Sequence, residues 1–250
     1  MLGVASGIGI LTLRFPPIPQ PAWYHQFADQ RRWLGIPNFA NVISNAAFAV
    51  VGIWGILFIR RHADKAFVNP RERWPYLGVF IGLLLTAFGS AYYHLAPNNA
   101  HLVWDRLPMT IVFGSLVAAL IVERISVRAG LQLLPWFIVL GAGSVVQWYW
   151  DEIHGHGDLR IYAAVQLYSA LALLLALLLP TKYSRRRDFA AVFGFYVLAK
   201  VFETADWQIF AFHHIVSGHT LKHVAAAAAG YWILRMLALR EPCTQEFIAC

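Results

Sequence analysis

The stretch Ser217-Gly-His-Thr-Leu-Lys-His223 stands at the mouth of a long apolar run, Val224 to Leu234. If that run is helical, His219 and His223 are four residues apart and project from one face, a turn apart. Two imidazoles so placed can bind one metal ion in the manner of an H-x-x-x-H zinc helix. A pair of interfacial histidines at a helix start is the competing reading. What decides between them is whether the rest of the chain brings a third ligand to the same place.

The run is one of several. The chain of 250 residues is 59% hydrophobic and only 13% charged, against about 25% charged in soluble domains. Blocks of this length and polarity imply an all-α, polytopic membrane protein. The net charge of +7 would suit a nucleic-acid partner, but the basic residues sit in short loops between apolar blocks. That pattern belongs to membrane topology, so no nucleic acid is expected. Cys243 and Cys250 both fall in the C-terminal tail and provide neither a disulfide framework nor a metal motif.

Taking roughly 20 apolar residues per span, seven spans are expected: Asn41–Ile59, Trp74–Leu95, Leu102–Val122, Leu131–Tyr149, Ile161–Leu179, Phe189–Phe212 and Thr220–Leu239. They form a single seven-transmembrane helix bundle, 1–250. Residues 1–22, with proline-rich Phe15 to Pro21, make a flexible lead-in, and 241–250 a tail. Arginine and lysine concentrate in the first, third and fifth loops and near the C-terminal end. Positive charge stays cytoplasmic, so the N-terminus faces out and the C-terminus in.

That orientation gathers polar residues. The second span ends outside with Gly89-Ser-Ala-Tyr-Tyr-His94, the third begins there with Asp105-Arg-Leu-Pro-Met109, and the seventh begins there with His219 and His223. Ser90, His94, Asp105, His219 and His223 therefore share one depth, and each is costly in lipid unless it faces the bundle interior. A hydrogen-bonded network cementing the helices is the structural alternative. Three neutral imidazoles and an open position form a catalytic zinc arrangement. Water on such a metal has its pKa lowered to about 7 and becomes a nucleophile. The expected chemistry is hydrolysis of a carbonyl compound arriving from the membrane. Asp105 would act as a base or orient the ligands, and Ser90 would donate a hydrogen bond to the developing oxyanion.

These motifs resemble the alkaline ceramidases, membrane hydrolases of the superfamily that includes the adiponectin and progestin receptors. The resemblance rests on Ser90-x-x-x-His94, Asp105 with Pro108-Met109, and His219-x-x-x-His223. Gly35 to Asn45 looks like the bacterial branch. It runs from about Phe27 to Ala229. It implies zinc held by His94, His219 and His223, with Asp105 and Ser90 as catalytic or supporting groups. It also implies cleavage of the ceramide amide to sphingoid base and fatty acid, in a bacterial inner membrane with the site near the extracytoplasmic face. Eukaryotic members also bind calcium through an acidic N-terminal cluster. Here Trp23 to Asn45 offers only Asp29 with Asn38 and Asn41, too few carboxylates for such a site.

Other polar residues have weaker claims. Lys200 and Glu203 are three apart and are expected to pair, and Asp206 is placed to orient a histidine ligand. Asp151 to Arg160, with His154 and His156, reads as a solvated loop or lid. Ser44 and Asn45 are expected to pack or hydrogen-bond between helices. His25, His62 and His101 have no evident partner. A transporter would need polar residues through the membrane depth, whereas the inner halves, such as Ile111–Ile121, are apolar. A receptor-like protein with a structural zinc would use the same ligands as the hydrolase.

Overall fold

The computed structural model describes residues 14–243. The expectations for residues 1–13, and for 244–250 with Cys250, lie outside the described residues.

The described residues form helices and no strands. Their order is α1 Phe39–Ile43, α2 Ala46–Ala66, α3 Arg73–Leu95, α4 Asn99–Arg124, α5 Val127–Ile153, α6 Arg160–Leu178, α7 Asp188–Thr204, α8 Asp206–His213 and α9 Gly218–Leu239. Five helical segments are long and apolar enough to cross a membrane: Phe39–Ala66, which joins α1 to α2, then Pro70–Leu95, Asn99–Arg124, Val127–Ile153 and Arg160–Leu178. The other two expected segments are helical but differ from expectation. The sixth breaks at Ala205 (φ −94°, ψ 21°) into α7, of 17 residues, and the short α8. The seventh, α9, has 22 residues but carries His219, Lys222, His223 and Arg235, which dilute its apolar character.

Helices α2, α3, α4, α6, α7 and α9 pack in sequence around a ring, and α5 lies outside it against α4. Large apolar side chains such as Phe88, Trp136, Leu140 and Leu178 point outward, as they do when lipid is the solvent.

Two close approaches set the helices near the site. Pro108 sits inside α4 and has no N–H, so the Trp104 carbonyl four residues earlier loses its helical donor. That carbonyl turns to α3 at Gly89, where a Cβ would come within 2.0 Å of it. Only glycine permits this contact, and it brings Ser90 beside Asp105. At the start of α9, a Cβ on Gly218 would lie 2.3 Å from the Phe202 carbonyl and 2.7 Å from the Asp206 Cα. The first turn of α9 is thereby seated against the α7–α8 break.

The opposite end of the bundle is fastened by buried ions. Arg240, after α9, pairs with Glu123 at the end of α4, and Glu123 accepts from Tyr76 Oη on α3 at 2.7 Å. Glu72, fully buried, accepts from Lys182 and Tyr183 in the α6–α7 connection. Removing one member of such a pair leaves a buried charge at a cost of about 3–5 kcal/mol, far above the 0–1 kcal/mol of a surface pair.

The lead-in is not free. Leu159 N donates to Ile18 O at 2.8 Å, and Ile18 N donates to Asp158 Oδ1 at 3.4 Å. Asp158, expected in solvent, is buried and ion-paired with Arg160 at 2.7 Å. Its acceptor oxygens hold the proline-rich segment down, whereas His154 and His156 are exposed.

Candidate metal centre

His94, His219 and His223 converge. One ring nitrogen from each lies within 4.8 Å of the others, and all three side chains are buried. His94 Nε2 and His223 Nε2 are 3.3 Å apart. Two ligands on a tetrahedral ion with bonds of about 2.0–2.1 Å stand roughly 3.3–3.4 Å apart, so this edge already has the right length. His219 Nε2 is buried with no hydrogen-bond partner, a cost that an ion would remove. The ring centroids lie 4.8–5.0 Å apart. These three residues can hold a metal ion. Among the described residues, no other cluster of His, Cys, Asp or Glu has this geometry.

The surroundings orient each ligand. Ser44 Oγ lies 2.7 Å from His223 Nδ1, which turns Nε2 toward the other rings. Ser44 was legible only as an inter-helix contact. Asn38, in a left-handed conformation at φ 48°, donates from Nδ2 to the His94 carbonyl at 2.8 Å. Asp206 orients His219, but through the backbone: Oδ1 accepts the His219 N–H at 2.7 Å, while Oδ2 accepts the Ala28 N–H at 3.0 Å. Asn41 Oδ1 accepts from Thr220 Oγ1 at 2.9 Å, and Ser217 caps α9 by accepting from Thr220 N at 3.1 Å. The Phe27 ring covers His94 and His219 at 4.7 and 4.6 Å between centroids.

Asp29 does not stand open for a cation. Its carboxylate is gripped by Arg31, Nε to Oδ1 at 2.8 Å and Nη2 to Oδ2 at 2.7 Å, and Arg31 also donates to the carbonyls of His214 and Ile215. Burial raises the Asp29 carboxyl, but the Arg31 hydrogen bonds and charge outweigh it and hold the group below the usual range.

Three histidines without an evident partner in sequence have one in space. His25 bridges Tyr93 Oη at 2.9 Å and Asn99 Oδ1 at 2.8 Å. His101 meets Tyr92 Oη at 3.0 Å, and His62 stacks on Phe58. None joins the triad.

A cavity of about 510 Å³ opens beside the histidines, and His223, Ser90 and Asp105 line it. Ser90 and Asp105 are buried, with the Ser90 hydroxyl facing the carboxylate. Glu203 stands on the flank, paired with Lys200 and, at 3.2 Å, with Lys222, and accepting from Tyr24 Oη at 3.3 Å. Lys222 carries no signal of its own in sequence beyond its place between the two ligands.

Below this polar rim the walls turn apolar. The lining runs from Ser90 to Val79 on α3, from Asp105 to Leu116 on α4 and from His223 to Ile233 on α9. At 1.5 Å per residue each strip is about 15–17 Å deep, roughly half of the ~30 Å hydrocarbon thickness. The volume falls within the range of lipid-sized or drug-sized ligand sites.

No protein-family model matches the chain, and no curated protein matches it.

Proposed function

We propose that the chain is a zinc-dependent intramembrane amidohydrolase of the alkaline ceramidase type, cleaving ceramide or a related N-acyl sphingolipid to sphingoid base and fatty acid. The observation that carries this reading is the buried three-histidine cluster beside a cavity about one leaflet deep, which its member His223 lines. A purely structural ion has no use for that space. Zinc suits three imidazoles and an open position, and when bound it acts as a Lewis acid and makes water nucleophilic near neutral pH.

The chain's own groups have assignable tasks. The apolar walls take the acyl chain and bring its amide to the level of Ser90 and Asp105. Ser90 donates a hydrogen bond to the carbonyl oxygen as negative charge builds there. Asp105 takes a proton from the attacking water and passes it to the departing amine nitrogen as the C–N bond breaks. Glu203 with its two lysines, together with Asp206, keeps the helices in register around these groups.

In this reading seven segments cross a bacterial inner membrane, as the resemblance implies, and the loop charges support an outside N-terminus with the site near the extracytoplasmic face. The test is release of fatty acid from a long-chain ceramide by purified protein, with and without a zinc chelator. Chelator-sensitive release is expected. No release from any N-acyl lipid, with zinc retained, would favour a receptor-like protein with a structural ion.

A further inference from the structure

Arg106 is the cation that the proposed chemistry leaves without a task. It follows Asp105 on α4, is 5% exposed, and lines the cavity. Of the charged groups on the cavity wall, Lys200, Lys222 and Arg106 are positive and Asp105 and Glu203 negative. Both lysines engage Glu203, and Asp105 faces Ser90. Arg106 makes no ion pair among the described residues, and the wall as a whole carries one excess positive charge.

Its surroundings are built for a guanidinium but give it no ion-pair partner. The Cζ lies 4.2 Å from the Trp148 ring centre, 4.9 Å from Tyr162 and 5.7 Å from Tyr24, within cation–π range. Nη2 donates to Gln20 Oε1 at 2.6 Å. Three buried polar atoms in this cluster have no partner: Arg106 Nη1, Gln20 Nε2 and Trp148 Nε1. All three are donors only. Gln20 is 8% and Trp148 0% exposed. A buried set of donors around a guanidinium without an ion pair leaves room for an anionic acceptor.

We propose that Arg106 receives the carboxylate of a long-chain acyl ligand lodged in the cavity it lines, with Gln20 and Trp148 holding the guanidinium from behind, outside the lining. This deepens the hydrolase reading and rests on it only for turnover, because binding requires no chemistry. The carboxylate has two possible sources of the same chemistry: the fatty acid released by cleavage, or an acidic headgroup on the N-acyl substrate.

The experiment is calorimetric titration of the full-length protein in detergent with two matched pairs of ligands. Palmitate is compared with hexadecanol, and N-palmitoylglycine with N-palmitoylethanolamine. A charge-assisted hydrogen bond to a buried guanidinium predicts that an acid binds about tenfold or more tighter than its uncharged partner. Arg106→Gln should abolish that preference, and Arg106→Lys should keep part of it. Preference in the palmitate pair alone identifies the released acid. Preference in the glycine pair alone identifies the headgroup, and preference in both supports a general carboxylate receptor. Equal affinities within both pairs in the wild-type protein overturn the proposal whether or not the variants fold, as does a preference that survives in Arg106→Gln. Binding without turnover would defeat the hydrolase reading alone.

Discussion

Ser44 Oγ and His223 Nδ1 meet at 2.7 Å, so the ring nitrogen facing His94 and His219 is chosen by a residue on the link between α1 and α2. Loss of such a partner costs about 10–100-fold in metal affinity. Ser44→Ala is therefore expected to retain zinc when the metal is abundant and to lose it to a weaker chelator than the wild type does. His223→Ala or His219→Ala should carry no stoichiometric zinc. Metal analysis after graded chelation reads both, and wild-type retention in Ser44→Ala would remove the serine's orienting role.

Asp206 ties two separate segments, at Ala28 N and His219 N, with one carboxylate. Asp206→Ala leaves both donors buried. Each costs about 1–3 kcal/mol, so a large drop in thermal midpoint is expected, together with reduced zinc content. Asp206→Asn keeps one acceptor and should fall between.

Asp105→Asn preserves shape but cannot take a proton. Full zinc content with fatty-acid release reduced by about 10²-fold or more is expected. Unchanged turnover would exclude Asp105 as the base.

Gly89→Ala places a Cβ 2.0 Å from the Trp104 carbonyl. The contact is backbone, so neither helix can yield by rotating a side chain. Ser90 and Asp105 separate, and activity is expected to fall further than that of Gly143→Ala, a site with open space around it. Comparison of the two variants for expression, thermal midpoint and turnover checks this.

The Asp29–Arg31 pair makes a prediction about pH. The folded carboxyl titrates below its ordinary value of about 3.9. Its contribution to stability is therefore fully present above that value and is lost as pH falls through the lower, folded one. Asp29→Asn should melt below the wild type at neutral pH, and the gap should close in acid. A gap independent of pH would mean that the pair acts by shape alone.

The triad was legible because its rule is simple. His219 and His223 fall on one helical face, and loop charges set His94 at the same depth. The break at Ala205 was not legible, because Lys200, Glu203 and Asp206 around it read as an ion pair and an orienting carboxylate within one span, and no Gly or Pro marks the end of α7. The action of Asp206 on a backbone N–H was hidden for a related reason: sequence shows side chains that can pair, but not which amide a turn leaves exposed. Gln20 stands among prolines that suggest slack chain, and only its long-range bond to Arg106 reveals that it is held. Asp158 misled for the same reason, since glycines beside it signal a turn without saying what the turn covers.

The opening stretch of the described chain contributes no long helix, yet Gln20, Tyr24, Phe27, Ala28 and Arg31 each reach a residue of the functional end. Deletion of the residues up to Arg31 would remove none of the long, hydrocarbon-loving rods. It would also unroof the imidazoles to water and strip Asp206 of half its duty. Hydropathy would mark that leader as dispensable, but it is the cork of the vessel.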